Sequence, residues 1–83
     1  MVVSQLLRRK RSRDLVEELT DRERSVLALV AEGRSNDAIA AVLKISPKTL
    51  EAHIGTIYSK LGLEPAGSDH RRVLAVLSYL RSS

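Results

Sequence analysis

Residues 46–62, SPKTLEAHIGTIYSKLG, gather the side chains with the clearest chemical potential in this 83-residue chain. Ser46, Lys48 and Thr49 set two hydroxyls and an ammonium at what reads as a helix start, where unsatisfied backbone N–H groups already favour an anion. Placed at 100° per residue, Lys48, Ala52, Gly55 and Ser59 fall on one side, with Glu51 and Thr56 beside them. That side is small and polar enough for close approach to something large. Other chemistries lack their residues. There is no cysteine, and the two histidines, His53 and His70, have no third ligand in view. No nucleophile–base pair or carboxylate pair stands out, since Asp37 and Glu23 are explained by caps and surface charge. No enzyme, metal site or cofactor is expected.

The elements that would hold this stretch can be read from its flanks. Ser46 can cap the helix and Pro47 suits its first position, while Gly62 can take the left-handed conformation that ends it. Leu50, Ile54, Ile57 and Leu61 form a narrow apolar stripe opposite the polar side, which predicts anchoring in a core. Upstream, Thr20-Asp21-Arg22-Glu23 reads as a capping box, with Leu19 placed as a hydrophobic staple. Val26, Leu27, Leu29 and Val30 follow, and Gly33 ends that helix. Ser35 caps a short alanine-rich helix reaching Leu43, and Lys44-Ile45-Ser46 is the turn to the next. Residues 64–69, EPAGSD, read as a loop in which Ser68 or Asp69 caps a last helix. The expected fold is all-α, a four-helix bundle-like domain with helices at about 21–32, 36–43, 47–61 and 69–81. A short helix, a tight turn and a longer helix with one polar face is how a helix-turn-helix enters the DNA major groove.

Eighty-three residues allow one small domain. No apolar run approaches the roughly 18 to 20 residues of a membrane span, and no apolar segment follows the N-terminal arginines as in a secretory signal. A cytoplasmic location and no membrane partner are expected. The net charge of +4 is uneven. The basic side chains of the first 19 residues are packed into RRKRSR, residues 8–13, either a solvated linker or a direct phosphate contact.

The stretch LTDRERSVLALVAEGRSNDAIAAVLKISPKTLEAHIGTIYSKLGL, residues 19–63, resembles the LuxR-type helix-turn-helix domain, also called the GerE or NarL/FixJ effector domain. The pattern Leu-Thr-x-Arg-Glu is met by Leu19, Thr20, Arg22 and Glu23. Ala-Glu-Gly, Ser-Asn and Ile-Ala are met at residues 31–33, 35–36 and 39–40. Ile45, Ser46, Thr49, Leu50 and His53 meet the family's Ile-Ser-x-x-Thr-hydrophobic-x-x-His signature, and residues 60–62 its Lys-Leu-Gly. The longer loop at 64–69 departs from the common family pattern and leaves the entry angle of the last helix open. Residues 2–9, VVSQLLRR, resemble the join between a phosphoacceptor receiver and this effector domain. The resemblance implies residues 19–83 as the DNA-binding domain and 1–18 as a linker or remnant of the join to a receiver. The implied parent is a two-component response regulator, with autoinducer-binding regulators and large ATP-dependent activators as rivals.

The resemblance implies Glu51, Ala52 and Gly55 as the base-facing positions. Ala52 and Gly55 are too short for a bidentate contact; Ala52 could touch a thymine methyl and Gly55 permits close approach. Glu51 could accept from a cytosine N4 amino group, or serve as a surface carboxylate or an orienter of an arginine. Expected phosphate contacts are Ser46, Lys48 and Thr49 at the helix head, with His53, Lys60, Arg34, Ser35 and Asn36 around them. Each of several has a competing reading: a half-buried structural role for His53, an ion pair with Glu23 for Lys60, and helix capping for Ser35 and Asn36. In the last helix Val73, Val76, Leu77 and Leu80 offer more apolar surface than one core contact needs and are the expected homodimer interface on DNA. Double-stranded DNA is the expected partner. The alternative is a protein-interaction module that recruits through its last two helices.

Overall fold

The computed structural model describes residues 13–63 and 68–82, and among them the chain is all helical, with no strand. Helix α1 is described over residues 13–17; α2 spans Asp21–Ala31, α3 Asn36–Leu43, α4 Pro47–Lys60 and α5 Ser68–Ser82. The four expected helices are present within one residue at each end, and α1 is an addition. The basic run before Arg13, the join at residues 2–9 and the loop at 64–67 lie outside the described residues, as do the side chains of residues 68 and 69 proposed as caps.

The N-caps of α2, α3 and α4 do their expected work. The Thr20 hydroxyl accepts from the Glu23 backbone N–H at 3.1 Å, and the Glu23 carboxylate accepts from the Thr20 N–H at 2.9 Å, closing the capping box. Ser35 and Ser46 accept from the N–H groups of Ala38 and Thr49 at 3.2 and 3.1 Å. The ends of α2, α3 and α4 are closed by one pattern, in which a residue two or three past the end donates back five positions. Arg34 N–H donates to Leu29, Ile45 to Ala40 and Leu63 to Tyr58. The residue before each donor is left-handed: Gly33 at φ +82°, Gly62 at φ +71° and Lys44 at φ 58°.

The core is built from Val26, Leu27, Ile39, Leu50 and Ile57, with Val16, Leu19, Val30, Ala40, Ile54, Tyr58, Leu61 and Ala75 completing it. Helix α2 packs against α3, α4 and α5, and α3 packs against α4. The stripe Leu50, Ile54, Ile57 and Leu61 is buried throughout, as its spacing predicts. Helix α5 meets the core through a smaller surface than its composition suggests. Ala75 is fully buried and Val76 and Tyr79 pack partly against the cluster, while Val73, Leu74, Leu77 and Leu80 are exposed. Alanine at the contact lets α5 lie close to α2 and turns the larger side chains outward. A single broad core contact by this helix is therefore not what forms.

Candidate nucleic-acid interface

Burying the apolar stripe of α4 fixes the direction of its other side. Lys48, Glu51, Ala52, Gly55, Thr56 and Ser59 are all exposed. A Cβ built on Gly55 would meet nothing within 4 Å, so no packing inside the domain calls for glycine there. The Thr56 hydroxyl donates to the Ala52 carbonyl at 3.1 Å and lies along the helix surface. At the helix head, the Ser46 hydroxyl accepts from the Thr49 N–H and donates to the Thr49 hydroxyl oxygen at 2.9 Å. These two side chains thereby hold each other in place beside exposed Lys48, with the helix dipole adding positive potential. His53 is half-buried on the flank.

Lys60 forms the ion pair weighed as its competing role. Its ammonium donates to the Glu23 carboxylate at 2.7 Å, and the Glu23 side chain is only 7% exposed. The Lys60 hydrogen bond, then the Thr20 backbone N–H, hold the Glu23 carboxyl below its ordinary pKa against the opposing effect of burial. One buried carboxylate thus ties the start of α2 to the end of α4, and so helps set the angle at which α4 is presented.

Ser35, Asn36 and Arg34 stand together at the start of α3. Ser35 is exposed and acts as the cap. Exposed Arg34 donates from Nε to Glu32 at 3.2 Å. Asn36 is joined instead to α5, where Arg72 donates from Nη1 to Asn36 Oδ1 and from Nη2 to the Arg34 carbonyl, both at 2.7 Å. This brace was missed in the sequence. Its signal was available, since Arg72 shares a helical face with Ala75, Val76 and Tyr79 at spacings of three, four and seven. Arg71 was also passed over; its guanidinium lies 4.9 Å from the centre of the Tyr58 ring. Among the described residues no group of three His, Cys, Asp or Glu side chains could hold a metal ion, and no helix is long and apolar enough to cross a membrane.

Comparison with known proteins agrees with this architecture. The family model described as bacterial regulatory proteins, luxR family (GerE) matches residues 17–66. The transcriptional regulatory protein TdiR of Thauera aromatica is 50% identical over 54 residues, covering 65% of this chain and 24% of that protein. The response regulator protein VraR of Staphylococcus aureus is 42% identical over 57 residues, covering 69% of this chain and 27% of its own length. The HTH-type transcriptional regulator MalT of Yersinia enterocolitica is 38% identical over 65 residues, 75% of this chain but 7% of that protein. The chain therefore spans about a quarter of the length of such relatives, or less. With the capped helices, the buried α4 stripe and the family match in agreement, the chain belongs to the luxR family of bacterial regulatory proteins and carries that family's helix-turn-helix DNA-binding domain.

Proposed function

We propose that this domain is the DNA-reading output module of a two-component response regulator, acting in the cytoplasm, with α4 lying in the major groove. The observation that carries the reading is the division of α4 into a wholly buried apolar stripe and a wholly exposed small, polar face. Ser46, Lys48 and Thr49 contact phosphates at the head of the helix, His53 on its flank, and Arg34, Ser35 and the side-chain N–H2 of Asn36, whose Oδ1 is held by Arg72, across the groove. Glu51, Ala52 and Gly55 face the bases. Direct readout is sparse, because two of those three side chains are too short to reach a base edge with paired hydrogen bonds, so shape and bridging water contribute. Lys60 acts through Glu23 by fixing α4. Two copies pair on DNA through the exposed apolar face of α5, and a receiver in the parent controls that pairing. The response-regulator parentage is supported by the likeness to VraR, itself a response regulator by name.

An electrophoretic shift on bacterial upstream regulatory DNA at several salt concentrations tests this reading. Binding should weaken steeply with salt, and Lys48→Ala should make the log–log slope shallower by about one unit while weakening specific and non-specific duplexes by similar factors. Absence of any shift at low salt would instead favour a protein-interaction module.

A further inference from the structure

Arg71 occupies a place that the groove helix and its caps leave unexplained. Its guanidinium stacks 4.9 Å from the centre of the Tyr58 ring. Its Nε is buried without a hydrogen-bond partner. With Asn36, Glu51, Gly55 and Arg72 it lines an open concavity of about 370 Å³ between α3, α4 and the start of α5. Arg72, the other cation there, has both terminal nitrogens engaged by Asn36 and the Arg34 carbonyl. No carboxylate among the described residues forms an ion pair with Arg71. A charged group held with one N–H buried and unpaired gains from a partner that brings negative oxygens to its other N–H groups. Stacking on an aromatic ring fixes the guanidinium plane and leaves its edge to donate, which suits the fork of a phosphate. Among the described residues that line the concavity, two guanidinium groups stand with one carboxylate, Glu51, so its charge favours an anion. Gly55 keeps the rim beside α4 open, since a Cβ there would stand in empty space.

We propose that Arg71 takes a backbone phosphate of DNA, which enters this concavity past Gly55 on the flank of the groove helix. The site rests on the DNA-binding reading and extends it: α5 supplies a phosphate contact as well as a packing face. It also accounts for a small residue at position 55 without requiring that position to read a base.

The test compares the parent domain with Arg71→Gln, which keeps much of the side chain over Tyr58, and Arg71→Lys, which keeps the charge. Binding to a mixed-sequence duplex is measured across salt, with circular dichroism melts alongside. Arg71→Gln is expected to lose about 0.9 from the log–log slope, so that the parent's advantage narrows about threefold between ~50 and ~200 mM salt. Arg71→Lys is expected to keep the parent slope while binding more weakly, because an ammonium cannot reproduce the planar fork. A parent slope in Arg71→Gln would overturn the site and leave DNA binding standing. Weaker binding at unchanged slope, accompanied by a lower melting temperature, would make Arg71 a packing residue and overturn the site equally. A parent domain that shifts no duplex at low salt would remove the DNA reading, and this site with it.

Discussion

Glu23 serves two partners with one carboxylate, and its burial makes both matter. It closes the capping box with the Thr20 N–H and accepts from Lys60 across 37 positions of sequence. Because its pKa is lowered in the folded chain, the stability it contributes is complete above the unfolded carboxylate range. That stability is lost as pH falls through the folded value. Glu23→Gln is therefore expected to cost about 2 kcal/mol at neutral pH, the worth of a charge-assisted hydrogen bond. The difference from the parent should shrink below roughly pH 4, where the unfolded carboxyl is already protonated. Melting curves between neutral pH and about pH 3 check this, and a gap independent of pH would mean that lost packing, not charge, sets the cost. The capping half of Glu23 was legible in the sequence because Thr20 lies three residues away. The Lys60 half was open between two roles, since only the approach of α4 to α2 decides where that ammonium goes.

At the scale of elements, legibility follows the same division between local and distant causes. Caps and stripes depend on neighbours within about four residues, so Ser35, Ser46, Gly33 and Gly62 could be assigned their roles directly. The face by which α5 meets the core could not. It depends on how α5 approaches α2, and the residue that fits the contact is small Ala75 in place of the larger Val73 or Leu77. The spacing of Arg72 could place it on the inward face of α5 but could not name its partners, which lie 36 and 38 positions away. Lys44 shows a further limit. It ends α3 in the left-handed region at φ 58°, where the equivalent position after the other two helices is glycine. An L-residue with a side chain costs about 1 kcal/mol or more there. Lys44→Gly should consequently raise the melting temperature by several degrees, about 4–8 °C per kcal/mol for a domain of this size. Gly33→Ala should lower it by a comparable amount. A Lys44→Gly variant that melts lower than the parent would show that the lysine side chain stabilises the turn by a contact stronger than its backbone cost.

Across the whole molecule, the division of labour on α5 has a consequence for assembly. Val73 is 60% exposed, Leu74 47%, Leu77 38% and Leu80 57%, whereas Val76 packs partly against the core. Val73, Leu77 and Leu80 are spaced four and three apart, so they share one face along the helix. Exposed apolar groups clustered in this way mark an interaction surface more often than they belong to a monomer's ordinary exterior. A second copy is the occupant that fits the proposed function, because groove helices of a pair on a palindromic site must sit one turn apart, about 34 Å. Val76, named with the others from sequence, packs partly against the core beneath that face. The double substitution Leu77→Glu with Leu80→Glu should therefore leave binding to a single half-site near the parent value. The same pair should remove about tenfold or more of affinity on a duplex with two half-sites, the scale of a typical coupling between sites. Its melting temperature should move by only a few degrees, since the substituted side chains stand in solvent. Equal losses on both duplexes, with a large fall in melting temperature, would place Leu77 and Leu80 in the support of the monomer. The pairing surface would then have to lie on another helix.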